Sequence, residues 1–167
     1  PRSAHAEDGY ALTPKDFFFK TRAKKSVDWQ VVLLVDVSGS MEPSTIYAAL
    51  VASILAKIPA LSTKFITFSD GVVDLSEHVD DPLELLLGIR IGGGTNIGGA
   101  IRFARTLARV PSRTLLVCVS DFEEGASVPT LIAEVRDVVG SGITALGLAA
   151  LDDRGAPRFH RGIAERV

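Results

Sequence analysis

From Gln30 onward, short apolar runs alternate with longer stretches in which apolar residues recur every three or four positions. Residues 31–35, Val-Val-Leu-Leu-Val, form a continuous run rich in β-branched side chains. Such a run predicts a strand covered on both faces in a parallel sheet. Residues 64–68, 115–119 and 143–149 predict further strands, and Ser69-Asp70-Gly71 predicts a hairpin turn into a short strand at 72–75. Between the first two strands, Pro43 suits a first helical position, and Ile46, Leu50, Ile54, Leu55 and Ile58 recur at helical spacing until Pro59. These five are therefore expected to face inward. A short helix is expected over 80–87, entered at Asp80-Asp81-Pro82. A longer one is expected over 96–108, with Ile97, Ile101, Ala104, Leu107 and Ala108 inward. A third spans 128–139 and ends at Gly140-Ser141-Gly142, and residues 159–167 begin a last one.

Strands alternating with helices of this length specify an α/β fold, a doubly wound and mostly parallel sheet with helices on both faces and right-handed crossovers. Ligands of such sheets lie beyond the carboxyl ends of the strands, where strand order reverses. The loops after Val35, Ile91 and Val119 are thus the places for chemistry. No internal repeat or low-complexity tract interrupts the pattern. Residues 1–28 lie outside it as a polar N-terminal extension, with Phe17-Phe18-Phe19 expected to pack on the domain formed by 29–167.

Composition narrows the function classes. At 167 residues, 47% hydrophobic and 23% charged, the chain suits one well-packed domain. A net charge of -2 offers no field for nucleic acid or an anionic membrane, and Lys20, Arg22, Lys24 and Lys25 read as a solvated flank. Cys118 stands alone within an apolar run and reads as a small buried hydrophobe. His5, His78 and His160 are too scattered for a zinc site, and no apolar run is long enough to span a bilayer. The chain opens on Pro1, as expected of a fragment or processed product.

The first loop reads Asp36-Val37-Ser38-Gly39-Ser40. Alternate residues of extended backbone project to one side, so Asp36, Ser38 and Ser40 can converge. One carboxylate and two hydroxyls are hard oxygen donors, suited to Mg²⁺ or Mn²⁺. The plainer reading is helix capping, for which Asp and Ser are equally good. In the second loop, Gly92-Gly93-Gly94-Thr95-Asn96, the glycines bring backbone close to the crevice and Thr95 adds a hydroxyl. Here the plainer reading makes Thr95 or Asn96 the cap of the following helix. No Gly-Lys-Ser/Thr ending follows, which excludes a phosphate-binding P-loop. The third loop, Ser120-Asp121-Phe122-Glu123-Glu124-Gly125, puts Asp121 at a strand end, facing Asp36 across neighbouring strands. Two crowded carboxylates repel unless a cation lies between them or one is protonated. Glu123 and Glu124 read as solvated loop charges.

Asp-x-Ser-x-Ser, then a distant Thr, then Asp at the end of a later strand resembles the von Willebrand factor A (VWA) family with its metal-ion-dependent adhesion site. The likeness covers about residues 29–150 and, through Met41-Glu42, is similar to bacterial intracellular members. It implies a Rossmann-like sheet with residues 72–75 as an antiparallel edge strand. It also implies that Ser38, Ser40 and Thr95 ligate Mg²⁺ (with Mn²⁺ or Ca²⁺ as alternatives) through hydroxyls, while Asp36 and Asp121 act directly or through water. Phe122 departs from the glycine that many members carry after the last Asp. The family's sixth strand is not evident before Val167, which predicts truncation of that edge.

The resemblance implies a metal-dependent protein-protein interaction module. Its partner would offer an Asp or Glu side chain, and MoxR-class AAA+ ATPases are the partner type of similar bacterial proteins. Cytoplasmic location follows from the same likeness and from the absence of disulfides. No His or Lys in the three loops offers a catalytic base, so an enzyme is not expected. The alternative is a Mg²⁺-dependent phosphohydrolase of the haloacid-dehalogenase type. That chemistry needs a second acid at position 38, which is Ser, and a lysine near the phosphate, whereas Lys64 begins a strand.

Overall fold

The computed structural model describes residues 29–58, 61–151 and 155–167. The extension at 1–28, including its phenylalanines, and the helix stop at Pro59 lie outside the described residues.

β1 (Trp29–Asp36) forms the middle of a six-stranded sheet in the order β3-β2-β1-β4-β5-β6, with β2 (Leu61–Phe68) and β4 (Thr114–Ser120) parallel on its two sides. β5 (Thr144–Leu151) continues the parallel set, and β3 (Val72–Asp74) closes the other edge antiparallel to β2. The period of two along β1 divides the core. Val32 and Leu34 pack with Ile66, Phe68, Leu116 and Cys118 beneath α3 (Ile97–Leu107) and α4 (Val128–Gly140). Val31, Leu33 and Val35 pack with Phe65 and Val117 beneath α1 (Glu42–Ala56), while Leu85 of α2 (Pro82–Gly88) joins the same layer. Cys118 is enclosed in the first layer, where burial, with the Asp36 charge as a lesser cause, pushes its thiol up to about 12. It is packing material, as expected from sequence.

α3 and α4 meet closely because Gly98 has no side chain: a Cβ there would come within 3.2 Å of the Leu131 Cα and N. Across the same helix pair, Arg102 Nε donates to Glu134 Oε1 at 2.6 Å and Arg105 Nη1 donates to Asp137 Oδ2 at 3.1 Å.

Two expectations fail. The inward face of α1 is not the bulky one. Ile46, Leu50 and Ile54 are 56%, 51% and 58% exposed and Ile58 also faces out, whereas Thr45, Ala48, Ala49, Ala52 and Ser53 are buried. Leu55 alone of the expected five is partly buried against the core. α1 has no polar side to mark its outside, so periodicity could not choose between two apolar faces. The close fit to the sheet chose the small one. Two buried hydroxyls are satisfied by the preceding turn, Thr45 Oγ1 donating to the Met41 carbonyl and Ser53 Oγ to that of Ala49, each at 3.0 Å, while Ser44 Oγ donates to the Leu151 carbonyl of β5 at 3.3 Å.

The second failure concerns the sheet edge. A sixth strand does form before Val167: β6 (Pro157–Arg158) pairs antiparallel with the end of β5, Ala150 opposite Arg158. Two residues give no periodic signal. The expected last helix shrinks to α5 (Arg161–Ala164), tied by Ile163 to the core beneath α3 and α4.

The two faces of α1 predict opposite tolerances. Ala49→Leu should lower unfolding free energy by about 1–3 kcal/mol through overpacking, while Leu50→Gln should change it by about 0.5 kcal/mol or less. Urea denaturation measures both; equal losses would mean the faces are misassigned.

Candidate metal centre

Strand order reverses between β1 and β4, and Asp36 ends β1 at that point. Parallel register sets Val35 beside Val119, which brings the next residues, Asp36 and Ser120, together. The Asp36 side chain is completely buried. Its Oδ1 accepts the Ser38 N–H at 2.9 Å and its Oδ2 accepts the Ser120 hydroxyl at 2.7 Å. Burial pushes the Asp36 carboxyl above its ordinary range; the hydrogen bonds from Ser120 and Ser38 oppose that rise, and the Asp121 charge adds to it.

The first loop then turns through a single 3₁₀ turn, Gly39–Met41, closed by the Met41 N–H on the Ser38 carbonyl at 2.9 Å. Ser38 Oγ and Ser40 Oγ lie 3.5 Å apart, and Ser40 Oγ donates to Asp121 Oδ2 at 2.5 Å. Asp121 is itself buried, with Oδ1 accepting the Glu123 N–H at 3.1 Å. The side chains of Asp36, Ser38, Ser40 and Asp121 thus gather at one spot.

Thr95 reaches the same rim by its backbone. Its carbonyl accepts the Gly125 N–H of the third loop at 2.8 Å. Gly92 N–H donates to the Val37 carbonyl at 2.8 Å, and Asn96 N–H to the Ser69 carbonyl at 3.0 Å. The capping role belongs to Asn96, whose side chain accepts the Gly99 N–H at 2.8 Å. Thr95 is therefore not the cap of α3.

Two residues carry roles that sequence reading missed. Ser120 was read only as part of its loop, yet its hydroxyl donates to Asp36 and accepts the Phe122 N–H at 2.9 Å. Glu124 is not a solvated charge. Its Oε2 accepts the Gly98 N–H at the start of α3 at 3.1 Å. Its Oε1 accepts the Ala126 and Ser127 N–H groups, at 2.9 and 3.2 Å, at the start of α4. A carboxylate joining two helix N-termini is favourably placed against both dipoles. The helix expected over 128–139 was the signal that placed a helix start beside this loop.

Phe122 has φ 57°, in the left-handed region that glycine enters freely and a bulky side chain rarely does. Its ring is buried, and a Cβ on Gly147 of β5 would lie 2.8 Å from the ring's Cζ. The burial of the ring offsets a strain of about 1–3 kcal/mol at such a position. The His160 N–H reaches the Asp121 carbonyl at 2.7 Å and so anchors the segment leading into α5 to this loop.

The donors present fit a hard cation. Among the described residues no three His, Cys, Asp or Glu side chains cluster, so the set consists of two carboxylates and hydroxyls. Nor does either carboxylate form an ion pair among those residues. Two acids facing each other without a cationic side chain are what a small dication with oxygen ligands would relieve.

The family model described as "VWA domain containing CoxE-like protein" matches residues 2–167. An uncharacterized protein of Escherichia coli (strain K12), YehP, is 45% identical over 166 residues, which are 98% of this chain and 43% of that protein. The chain thus spans less than half the length of that relative. Solved structures share the fold at low identity. An aerotolerance-related membrane protein from Bacteroides fragilis matches with TM-score 0.63, 20% identity, and coverage of 83% of this chain and 85% of that one. The manganese-loaded TRAP protein of Plasmodium vivax gives 0.61, 15%, 84% and 63%. A von Willebrand factor type A protein from Catenulispora acidiphila gives 0.55, 16%, 83% and 37%.

Ser120→Ala should leave the buried Asp36 carboxylate short of its side-chain donor and the Phe122 N–H unpaired. A loss of about 1–3 kcal/mol in urea denaturation is expected. Wild-type stability in this variant would show that Ser120 does not hold the site together.

Proposed function

The chain belongs to the VWA domain family, with its CoxE-like members, and from that premise we propose that it binds a divalent cation, Mg²⁺ foremost, and through it an acidic side chain of a protein partner. VWA domains are generally interaction modules and not enzymes, and the finer reading adds the ion and the partner's chemistry. One observation carries it: the chain of contacts from Ser38 through Ser40 to Asp121, beside a fully buried Asp36, at the reversal of strand order.

Ser38, Ser40 and Thr95 would hold the ion through hydroxyls, with Asp36 and Asp121 acting directly or through water. Mn²⁺ and Ca²⁺ accept the same donors. When bound, the ion supplies Lewis acidity and a coordination position for a visiting carboxylate. The residues of the chain do the rest. Ser120 and the Ser38 amide fix the rotamer of Asp36, and Gly125 fixes the height of Thr95. Specificity would come from this charge-assisted contact, and affinity from the surrounding loops.

A phosphohydrolase is the weaker reading. It would need Asp36 as a nucleophile, and that carboxylate is enclosed and already accepts two hydrogen bonds. Among the described residues, no helix is long and apolar enough to cross a membrane. A MoxR-class AAA+ ATPase as partner and a cytoplasmic site of action remain part of the proposal, on the strength of the family resemblance.

Saturating Mg²⁺ should raise the melting temperature of the wild type, since a ligand at 100 times its Kd adds about 2.7 kcal/mol. Asp36→Ala and Thr95→Ala should each abolish that rise. A partner pulled down by the wild type should be lost with EDTA and with Thr95→Ala. Mg²⁺-dependent melting that persists in both variants would overturn the ligand assignment.

A further inference from the structure

Asp70 is an exposed residue in the turn between β2 and β3, outside the three loops in sequence. It nevertheless makes a long-range contact, accepting the Gly94 N–H at 2.9 Å through Oδ2. The fit is closer than one hydrogen bond. A Cβ on Gly93 would stand 2.6 Å from Asp70 Oδ2, and one on Gly94 would stand 2.5 Å from Oδ1. Both oxygens therefore lie against a stretch of backbone that only glycine leaves bare. Gly92 and Gly93 also have φ of 133° and 88°, conformations that glycine adopts without strain. The neighbouring Ser69 carbonyl accepts the Asn96 N–H, so the hairpin turn grips the glycine loop on both sides of Thr95.

We propose that Asp70 is a positioning residue of the cation site: its carboxylate holds the loop at 92–96 so that Thr95 is presented to Ser38, Ser40 and Asp121. The inference rests on the metal-binding reading above. Three consecutive glycines have more conformational freedom than any other tripeptide, so a hydroxyl displayed just after them needs an external anchor. On its other side the loop is held by backbone bonds from Gly92 to Val37 and from Gly125 to Thr95. Asp70 is the side chain that completes the grip. A turn residue with no further role would need only to suit the hairpin, which the Ser69 N–H closes on the Gly71 carbonyl at 2.9 Å without help from the carboxylate.

The test compares wild type, Asp70→Ala, Asp70→Asn, Gly94→Ala and the Asp70→Ala/Gly94→Ala double variant. Mn²⁺ affinity is read by electron paramagnetic resonance, and amide hydrogen exchange at 92–96 is read without metal. Asp70→Ala should raise the Mn²⁺ Kd about 10–100-fold, the range typical of groups that orient metal ligands. It should also speed exchange at Gly94 while leaving exchange in β1 and β4 unchanged. Asp70→Asn keeps an acceptor oxygen and should recover most of the affinity. Gly94→Ala should weaken binding alone but add little in the double variant, because the oxygen it collides with is gone. Additive losses, or wild-type affinity and exchange in Asp70→Ala, would overturn the assignment. If the wild type itself binds no Mn²⁺, the metal reading fails. The brace is then judged by exchange alone, and unchanged Gly94 protection in Asp70→Ala would reject it.

Discussion

A carboxylate with no exposed surface, set at the end of the central strand, is the constraint around which this molecule is arranged. Asp36 would be strongly disfavoured there without partners, and the fold supplies them from two directions. The Ser38 amide comes from the turn that follows it, and the Ser120 hydroxyl comes from the neighbouring strand. The second depends on β1 and β4 being adjacent, at the point where strand order reverses. The helices that follow these two strands, α1 and α4, pack on opposite faces of the sheet. Asp121 then closes the arrangement by accepting the Ser40 hydroxyl, which lies 3.5 Å from that of Ser38.

Much of this was legible in the sequence because the relevant signals are local. Val31 to Val35 could hardly be anything but an interior strand, and Asp36 and Asp121 were visible as strand-terminal acids. What could not be read was contact between distant segments. Ser120 looked like any loop serine, since its role exists only once β4 lies beside β1. Glu124 looked like a surface charge, since its amide donors come from two helices, one of them 26 positions away. The error over α1 has a different origin. Its outward residues Ile46, Leu50 and Ile54 are larger and more apolar than its inward alanines, so ranking by hydrophobicity selected the wrong side. Closeness to a sheet rewards small volume, and hydropathy does not encode that. β6, at two residues, is too short to carry a pattern at all.

The glycine loop shows how several weak restraints can replace one strong one. Thr95 belongs to a segment with little conformational preference of its own. Bonds to Val37, Ser69, Asp70 and Gly125 hold it from three directions. The Gly125 contact is tight as well: a Cβ there would come within 3.0 Å of the Thr95 carbonyl oxygen. The first and third loops are thereby mechanically joined through the second.

The aromatic ring at Phe122 and the bare backbone at Gly147 are complementary halves of one fitted surface. In evolutionary terms, these two positions, 25 residues apart in the chain, constitute a single heritable character. A lineage that replaces the ring by glycine regains an unstrained bend and frees position 147 to grow a side chain. A lineage that first enlarges position 147 must evict the ring and disturb the acid beside it. Paired substitution at the two positions is therefore the open path, and the order of the two steps is constrained.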